Sequence, residues 1–403
     1  MVLPKQIIYS MRYIRPWIHP DATSDKRFCT AMSAFLGGAH VVPIGRARTG
    51  LYLLVKNAVN ARRRRVIMSP YTILDVVSMV KFAGGEPVFV DCLPRSTNVD
   101  LHHLESLIDA RTACVLLTHY HVSQNRLLDV VQWCRSSGIK VFDDCAICLG
   151  ATLGGEHIGT LTDGSMFSFS GFKILNYLWG GIVAVRDDDV LAAISSEVSG
   201  WNRLKLTQYR AQATKVLKYA AGTSSVLFPL VFQARRAFLS SRKIEDVLPS
   251  SRIETVSLDE TIRSRPSLAA LDEWIRKLPS IDDIVKHRRG IAEVYDRHLR
   301  DVCVSPETSD AIRVGSAFVN YPIVVGQDRR DRIYREVLNA GFDVGLSLYP
   351  NVHETPNYTS IEGRSTNIST LVRSVLTLPT HPKVTPAYAE GLAVTMREAL
   401  NKN

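Results

Sequence analysis

The stretch VFDDCAICLGATLGGEHIGTLTDGSMFSFSGFKILNYLWGGIVAVRD, residues 141–187, decides how the chain folds. Its first apolar run predicts a strand that ends at Asp144, and SMFSFS predicts a second strand just before Lys173. The run GIVAVRD follows Gly180 directly and predicts a third strand, either a hairpin return or an antiparallel member of the same sheet. The pattern therefore puts an acidic residue at a strand end and a single lysine between two strands.

These residue types match the needs of pyridoxal 5'-phosphate (PLP) chemistry. A lysine amine attaches that cofactor covalently, a carboxylate keeps its pyridine nitrogen protonated, and hydroxyls with backbone N–H groups hold its phosphate. Taken alone, the spacing of Asp144 and Lys173 also fits an ordinary structural role. An aspartate at a strand end is often a cap or half of an ion pair, and a single lysine is usually a solvated surface charge.

Upstream of this stretch, from about residue 40, helix-like and strand-like segments alternate. The predicted strands include RVIMSP, PVFVD, ACVLLTHY and KVFDD. The predicted helices between them include TGLYLLVKNAV, ILDVVSMVKFAGG, LHHLESLI and RLLDVVQWCRSSG. Repeated βα units of this kind predict a mostly parallel sheet that is covered by helices on both faces.

The length of 403 residues favours two domains, because a domain typically has roughly 100–200 residues. We predict a large domain over residues 1–262 and a smaller α+β domain over residues 263–403. The smaller domain contains a strand YPIVV, a helix RDRIYREVLNAG, a strand-like FDVGLSL and a final helix TPAYAEGLAVTMREAL. Within the large domain, residues 188–262 are basic and poorly periodic and predict a helical insertion.

The formal net charge of +10 indicates an anionic partner, which a phosphorylated small molecule, a membrane surface or a nucleic acid would each provide. No nucleic-acid-binding signature accompanies the charge, so we expect no nucleic acid partner. The region from Thr214 to Lys243 combines apolar and basic residues. It predicts either a peripheral membrane contact or a helix that packs on the large domain.

Seven cysteines occur, an odd number, and most of them lie in apolar runs: Cys29, Cys92, Cys114, Cys134, Cys145, Cys148 and Cys303. They predict buried thiols in a reducing compartment, which favours a cytoplasmic location. Cys145 and Cys148 form a C-x-x-C pair, but no second pair follows at zinc-site spacing. We therefore expect no metal site.

The order of the segments resembles that of the DegT/DnrJ/EryC1/StrS family of PLP-dependent sugar aminotransferases. The resemblance covers about residues 40–190 and 263–400. It is carried by ARTGLY from Ala47, MSPYTI with GGEPVFVD, HYHVSQN from His119, DDCAICLGA, FSFSGFKILNYLWGG, YPNVHETPNY and LTLPTHP. No single segment is specific, but their common order is.

The resemblance implies an aspartate-aminotransferase-like fold (PLP fold type I), with a three-layer α/β/α large domain and a smaller α+β C-terminal domain. It implies a homodimer that transfers an amino group from glutamate to a nucleotide-linked keto sugar, for surface polysaccharide or glycoside biosynthesis. Two alternatives stay open. One is a PLP enzyme that acts on a non-sugar substrate, and the other is a non-catalytic relative that binds a ligand or a partner protein.

The resemblance also implies residue roles. Lys173 attaches the cofactor and moves the proton during transfer, and Asp144 pairs with the pyridinium nitrogen. The remaining implied cofactor contacts are Ser168, Arg48 and Thr49 at the phosphate, Tyr71 beside the ring, and Ile147 where the family's glutamine contacts the phenolic oxygen. The implied substrate contacts are His353, His119 and Tyr349.

Several positions depart from the family pattern. Ile147 replaces the glutamine, and Ile73 replaces an aromatic residue that stacks on the ring. Ala47 replaces the first glycine of the phosphate loop, and Trp179 replaces a glutamate. The family's N-Y-R-M segment, which supplies an asparagine to the neighbouring subunit, has no visible counterpart. Arg263 or Arg265 is the expected substitute.

Overall fold

The computed structural model describes residues 22–120, 127–171, 173–205, 207–210, 213–214, 217–218, 227–240, 262–302, 315–347 and 349–402. Its large sheet has seven strands in the spatial order β1-β9-β8-β5-β4-β2-β3. Their bounds are β1 His40–Ile44, β2 Arg65–Met68, β3 Glu86–Phe89, β4 Thr112–Thr118, β5 Lys140–Asp144, β8 Gly164–Ser168 and β9 Gly181–Val185. The intervening β6, Thr152–Leu153, and β7, Glu156–His157, form a separate short hairpin.

The strands β3, β2, β4, β5 and β8 run parallel to their neighbours in this order. Strand β9 is antiparallel to β8 and to β1, as the second of the two readings of GIVAVRD predicted. The predicted α/β fold with a mostly parallel central sheet is therefore confirmed. Strand β1 has no counterpart in the sequence prediction.

Six helices of the described chain precede residue 200: α1 Ser24–Phe35, α2 Arg48–Ala58, α3 Leu74–Phe82, α4 Leu101–Leu107, α5 Leu127–Ser136 and α6 Asp188–Ser199. Successive side chains of a strand point to opposite faces of the sheet. Ile67 of β2 accordingly packs in one core with α1, α4 and α5, whereas its neighbours Val66 and Met68 pack in the other with α2, α3 and α6. The sheet is thus the middle layer of three.

The described chain beyond residue 226 builds a second core and also contributes to the cores of the large sheet. Its elements are α7 Phe228–Ser240, α8 Leu268–Lys277, α9 Ile281–Leu299, β10 Asn320–Val324, α10 Arg330–Asn339, α11 Thr366–Ser374, β11 Val375–Pro379 and α12 Pro386–Asn401, with 3-10 turns at Leu278–Ser280 and Val352–Glu354. Strands β10 and β11 pair antiparallel and pack with α9, α10 and α12. No helix among the described residues is long and apolar enough to cross a membrane.

The predicted strand FDVGLSL is wrong. Of its described residues, Gly345 forms one isolated bridge to Thr377, with two hydrogen bonds of 2.8 Å, and the others are outside the strands. The alternating pattern arose because Phe342, Val344 and Leu346 all turn towards the second core. The alternation of buried and less buried residues therefore gave the sequence pattern of a strand without a strand being present.

The boundary at residues 262 and 263 is crossed in both directions by packing. Helix α8 lies after it, but its Trp274 is fully buried in a core of the large sheet. Helix α7 lies before it, but Phe228 and Phe232 are buried in the second core. The division into two domains at this point stays a prediction. Of the predicted insertion 188–262, residues 206, 211–212, 215–216, 219–226 and 241–261 lie outside the described residues.

The C-terminal part also closes the edge of the large sheet. The backbone N–H of Phe89 in β3 donates to the carbonyl of Glu362 (2.8 Å), and the N–H of Arg364 donates to the carbonyl of Phe89 (3.2 Å). The Arg65 guanidinium adds a bidentate pair with the Glu362 carboxylate at 2.9 and 2.8 Å. Gly363, between these bonds, has a φ of +128°, and a Cβ there would lie 2.0 Å from the Phe89 carbonyl oxygen.

We predict that Gly363→Ala destabilises the protein more than Gly341→Ala does. Both glycines have positive φ, but Gly341 (φ +93°) faces open space. The backbone strain of alanine is therefore shared, and only Gly363→Ala adds the clash with β3. Urea unfolding should show an extra loss of about 1–3 kcal/mol for Gly363→Ala. Equal losses for the two variants would mean that the β3 contact contributes nothing.

Candidate active site

The carboxyl ends of three central strands meet at one edge of the sheet. Thr118 of β4 is paired with Asp144 of β5, which is paired with Met166 of β8. The backbone N–H of His119 donates to the Asp144 carbonyl at 3.1 Å, and the Asp144 carboxylate accepts from the N–H of Ala146 at 3.0 Å. Open α/β sheets bind their ligands beyond the carboxyl ends of the strands. Asp144 therefore lies where a ligand is expected.

Lys173 lies in the connection between β8 and β9. Its backbone N–H donates to the Ser170 carbonyl at 3.0 Å. Two further backbone bonds cross the connection, from Tyr177 to the Phe169 carbonyl (2.6 Å) and from Gly171 to the Tyr177 carbonyl (3.0 Å). These bonds fix the backbone on both sides of the lysine.

Helix α8 braces the same connection. Gly180 has a φ of +131°, and a Cβ there would lie 2.1 Å from the Trp274 ring, so only glycine fits against this indole. The Lys277 ammonium donates to the carbonyl and the side-chain oxygen of Asn176, at 2.6 and 2.8 Å. The lysine-bearing connection is thus held against a buried tryptophan and a charged hydrogen bond.

Lys173 and Asp144 influence each other's charge. Burial lowers the pKa of Lys173, and the attraction of the Asp144 carboxylate offsets only part of this, so the pKa falls to about 8. Burial raises the pKa of Asp144, while the Ala146 N–H and the charges of Lys173 and His119 oppose the rise. An amine that loses its proton near pH 8 is both a nucleophile and a proton acceptor at physiological pH.

A buried ion pair lies directly behind Asp144. The His119 Nε2 atom is 3.0 Å from the Asp143 Oδ1 atom, and neither side chain is exposed. Thr162 donates to the other Asp143 oxygen at 2.9 Å. Burial lowers the pKa of His119, but the Asp143 carboxylate more than offsets this and raises the pKa to about 9. His119 is therefore a cation that supports Asp144, and its predicted contact with substrate stays a prediction.

Cys145 joins this pair to form a buried triplet that sequence spacing did not reveal. Ligand atoms of His119, Asp143 and Cys145 all lie within 4.8 Å of one another. Burial, together with the neighbouring Cys148, raises the pKa of the Cys145 thiol. A metal needs the thiolate, whereas here the thiol is neutral and the two charges already offset each other. The triplet therefore has the character of a polar core cluster.

Three tyrosines cover the space beside Asp144. The Tyr71 ring is 4.7 Å from the Tyr120 ring and 5.6 Å from the Tyr349 ring, measured between centroids. The Tyr71 hydroxyl lies 2.9 Å from the Ser347 hydroxyl. Burial and the charge of Asp144 both raise the pKa of Tyr349. Tyr71 and Tyr349 were predicted from sequence, and the structure brings them together across the large sheet and the C-terminal part.

The residues predicted at the phosphate gather at the start of α2. Ser168 is paired with Gly181, and a Cβ at Gly181 would lie 2.8 Å from the Cβ of Ala47. The missing side chain lets the first turn of α2 approach the sheet next to the Ser168 hydroxyl, which lies 3.2 Å from that of Ser170. Helix N-termini attract anions through their free N–H groups and their dipole.

The side chains of Arg48 and Thr49 are engaged elsewhere. The Arg48 guanidinium forms an ion pair with Asp75. The Thr49 hydroxyl is fully buried and donates to the carbonyl of Ile262 at 2.8 Å. Their backbone lies at the N-terminus of α2, where the Thr49 N–H already donates to the Arg46 carbonyl at 3.1 Å. Their predicted phosphate contact stays a prediction.

The positions that depart from the family pattern have three different settings. Ile147 is buried, whereas Ile73 is 37% exposed and lies directly before α3. The Arg46 guanidinium lies 3.1 Å above the centre of the Trp179 ring, which also contacts the Tyr209 ring at 5.6 Å. Trp179 thus contacts an arginine that lies two residues before the start of α2.

Arg265 and His353, which were also predicted from the sequence, have partners within the chain. Arg265 pairs with Asp25 at 3.2 Å, whereas Arg263 is exposed. His353 uses both ring nitrogens within the C-terminal part, one 3.1 Å from the Ser365 hydroxyl and the other 3.0 Å from the Ile361 carbonyl. The predicted substrate contact of His353 therefore stays a prediction.

The residues present fit PLP. Lys173 supplies an amine of lowered pKa, and Asp144 supplies a buried carboxylate. Gly181 leaves room for the start of α2 beside Ser168, and this corner would receive the phosphate. These four residues would hold the amine-reactive group, the ring nitrogen and the phosphate of the cofactor.

The sequence model of the DegT/DnrJ/EryC1/StrS aminotransferase family matches residues 16–222 and 269–397. The chain belongs to this family. It is therefore a PLP-dependent aminotransferase, and the predicted family, enzyme class and cofactor are confirmed.

Two relatives and one solved structure show the range of similarity. A GDP-perosamine synthase of Caulobacter vibrioides is 30% identical over 44% of this chain, which spans 47% of that enzyme's length. A dTDP-3-amino-3,4,6-trideoxy-alpha-D-glucose transaminase of Micromonospora megalomicea is 24% identical over 94% of this chain and 90% of its own. The aminotransferase TlmJ of Streptoalloteichus hindustanus superimposes with a TM-score of 0.75 at 20% identity, covering 99% of this chain and 98% of its own, which supports the fold.

Sequence reasoning missed two contributors to the candidate site of this aminotransferase. Asp143 gave no signal of its own, because its partner His119 lies on another strand end. Tyr120 lies two residues after the end of β4, beside the hydroxyls of Ser69 and Thr118. Its neighbour His119 had drawn attention to this strand end, and the same position argument would have found Tyr120.

We predict that covalent uptake of PLP by the apo-aminotransferase rises with pH, with a midpoint near 8, because the neutral Lys173 amine is the reacting form. Asp144→Asn should move the midpoint to lower pH, since it removes the charge that favours the protonated amine. Visible absorbance of the bound cofactor measures both. Lys277→Gln is the control, because burial also lowers the pKa of Lys277 to about 8. A midpoint that follows Lys277, or that rises in Asp144→Asn, contradicts the assignment.

Proposed function

We propose that this aminotransferase moves an amino group from glutamate to the keto carbon of a nucleotide-linked sugar. The balanced reaction converts glutamate to 2-oxoglutarate and the keto sugar to an amino sugar. Support comes from the relatives, which include a dTDP-sugar transaminase aligned over 94% of this chain. The product would serve surface polysaccharide or glycoside biosynthesis, as one relative is a spore coat polysaccharide biosynthesis protein.

The observation that carries the proposal is that the Lys173 amine lies close enough to the buried Asp144 carboxylate for each charge to act on the other. Bound PLP supplies an aldehyde that takes up the amino group and a ring that accepts electrons. Lys173, with a pKa of about 8, would attach the cofactor, release it to the amino donor and then move one proton between the donor or sugar carbon and the cofactor. Asp144 would hold the ring nitrogen protonated through its buried carboxylate.

The substrate would lie against the tyrosine cluster of Tyr71, Tyr120 and Tyr349. The centroids of these rings lie 4.7, 5.6 and 5.9 Å apart, and the cluster would shield the bound substrate from water. The net charge of +10 suits an anionic nucleotide diphosphate. His353 is the further substrate contact that we propose, with Ile147 and Ile73 giving the cofactor an apolar surround.

We also propose that the protein works as a homodimer in the cytoplasm. The free thiols Cys29, Cys92, Cys114, Cys134, Cys145 and Cys148 suit a reducing compartment. Exposed Arg263 is the candidate to reach the neighbouring subunit, because Arg265 is held by Asp25. A molar mass of twice 44.9 kDa in solution is the expected result.

The function is tested with a panel of dTDP- and GDP-linked keto sugars and glutamate, followed by mass spectrometry of the sugar. We expect one amino sugar product and stoichiometric 2-oxoglutarate. Lys173→Ala should lose turnover by about 10²-fold or more, because proton transfer by a positioned group contributes that much. Lys402→Ala, which removes an exposed lysine at the C-terminal end of the described chain, is the control and should keep the reaction.

Two outcomes contradict this function. Product from a non-sugar ketone alone would make this a PLP enzyme on another substrate. Protein that cannot take up PLP at any pH would make it a non-catalytic relative that binds a ligand or a partner protein.

A further inference from the structure

Asp143 and Asp144 are neighbours on β5, but they face opposite sides of the large sheet. Successive side chains of a strand alternate between the two faces. Val141 packs in the core that contains α1, and Phe142 packs in the core that contains α2. Asp143 and Asp144 continue this alternation along β5. The Asp143 carboxylate is therefore turned away from any group that Asp144 holds, and it reaches the site through its partner His119.

The pair of His119 and Asp143 is enclosed and fixed at both ends. The His119 Nε2 atom lies 3.0 Å from the Asp143 Oδ1 atom, and both side chains are fully buried. The Thr162 hydroxyl donates to the second Asp143 oxygen at 2.9 Å, and the His119 backbone N–H donates to the Asp144 carbonyl at 3.1 Å. Separating the pair would leave a buried charge without its partner, which is strongly unfavourable. The pair therefore acts on the site by its charge and not by contact.

The charge of His119 depends on Asp143. Burial lowers the pKa of a histidine, so a fully buried imidazole without a partner is neutral at physiological pH. Burial acts on His119 in this direction, but the charge of Asp143 and its hydrogen bond more than offset it, and the pKa rises to about 9. Cys148 and Asp144 add to the rise. His119 is thus a cation at neutral pH as long as Asp143 is ionised.

Asp144 needs a cation that does not change during the reaction. Burial raises the pKa of Asp144, and the charges of Lys173 and His119 are among the influences that oppose the rise. A lysine that attaches PLP is released to the amino donor and then takes up and gives back a proton, so its charge varies from step to step. His119 takes part in none of these steps, and its charge stays constant beside Asp144.

Other titratable groups also face His119 or Asp144. They are two tyrosines and two cysteines: Tyr120, Tyr349, Cys145 and Cys148. Burial raises the pKa of both tyrosines and of Cys145, so these three are uncharged at neutral pH. The charges that act on Asp144 at neutral pH therefore include Lys173, His119 and Asp143.

The influences of Asp143 and His119 on Asp144 have opposite signs. Asp143 raises the pKa of Asp144 directly, whereas the His119 cation lowers it and has the larger effect of the two. Neutralising Asp143 removes both influences, because His119 then loses its charge as well. The net result is a higher pKa of Asp144. If Asp143 acted on Asp144 only directly, its removal would lower that pKa instead, so the sign of the change separates the two cases.

We propose that Asp143 and His119 are positioning residues of the transfer reaction: Asp143 keeps the buried His119 charged, and His119 keeps Asp144 ionised for the ring nitrogen of the cofactor. In this role neither residue touches the substrate. The proposal rests on the function proposed above for Asp144, but on neither the sugar nor the amino donor.

The first measurement follows the charge of His119 by NMR of the imidazole nitrogens in the full-length protein, with and without PLP. We expect a charged His119 at neutral pH. In Asp143→Asn the ratio of charged to neutral His119 should fall at least about tenfold, because an opposite charge at this distance favours the charged form by that much. Asp143→Glu keeps the charge and should restore the ratio, and His119→Gln identifies the signal. A neutral His119 in the unmodified protein overturns the proposal.

The second measurement follows the proton on the ring nitrogen by NMR of protein loaded with PLP that is isotope-labelled at this atom. We expect a protonated nitrogen at neutral pH and a lower protonated fraction in Asp143→Asn. The double variant His119→Gln, Asp143→Asn should show the same fraction, because His119 is already neutral in the single variant. It leaves no unpaired buried charge, so it keeps the test available if the single variant does not fold. Thr162→Val, which removes a hydrogen bond but no charge, is the control and should keep the nitrogen protonated.

The outcomes separate the proposal from its alternatives. An unchanged protonated fraction in both Asp143 variants overturns it, and so does a higher fraction in Asp143→Asn. A lower fraction while His119 stays charged also overturns it. The signal comes only from bound cofactor, so a loss of folded protein lowers its intensity and does not move its position. Rejection of every keto sugar would contradict the proposed substrate and leave both measurements unaffected.

Discussion

The amine of Lys173 and the carboxylate of Asp144 lie close together, away from water, at one edge of the sheet. The rest of the candidate site depends on this placement. Burial lowers the pKa of Lys173 and raises that of Asp144, so it favours the neutral form of each. The charge of each group shifts the pKa of the other in the opposite direction. Parallel strands bring Asp144 beside the end of β4, and helix α8 braces the connection that carries Lys173. The buried His119–Asp143 pair then adds a positive charge behind Asp144, which helps it to stay ionised.

Much of the fold followed from the sequence because its signals are local. KVFDD is β5, and GIVAVRD contains β9, since short apolar runs between helical periods indicate buried strands. Strand β1 was missed because its partner β9 lies about 140 residues away, and HVVPI carries a proline that argues against a strand. FDVGLSL misled for the opposite reason, because its alternation reflects burial against a core without a neighbouring strand.

The candidate site also contains residues that the sequence predicts and residues that it does not. Lys173 and Asp144 were predictable because residue type and order carry their chemistry. The side chains of Arg48 and Thr49 were not, because their partners Asp75 and Ile262 are set by tertiary packing. The buried charge pair behind Asp144 was invisible for the same reason. A residue's type thus indicated its chemistry, whereas only the fold shows which groups compete for it.

The most direct measurement fixes the bound cofactor to the protein by borohydride reduction and locates the modified lysine by peptide mass spectrometry. We predict a single modified peptide, with the cofactor on Lys173, and none in Lys173→Arg. The connection from Ser168 to Gly181 carries no other lysine, so the assignment is unambiguous. Cofactor on Lys277 or any other lysine, or no modified peptide from protein that has bound PLP, would contradict the account.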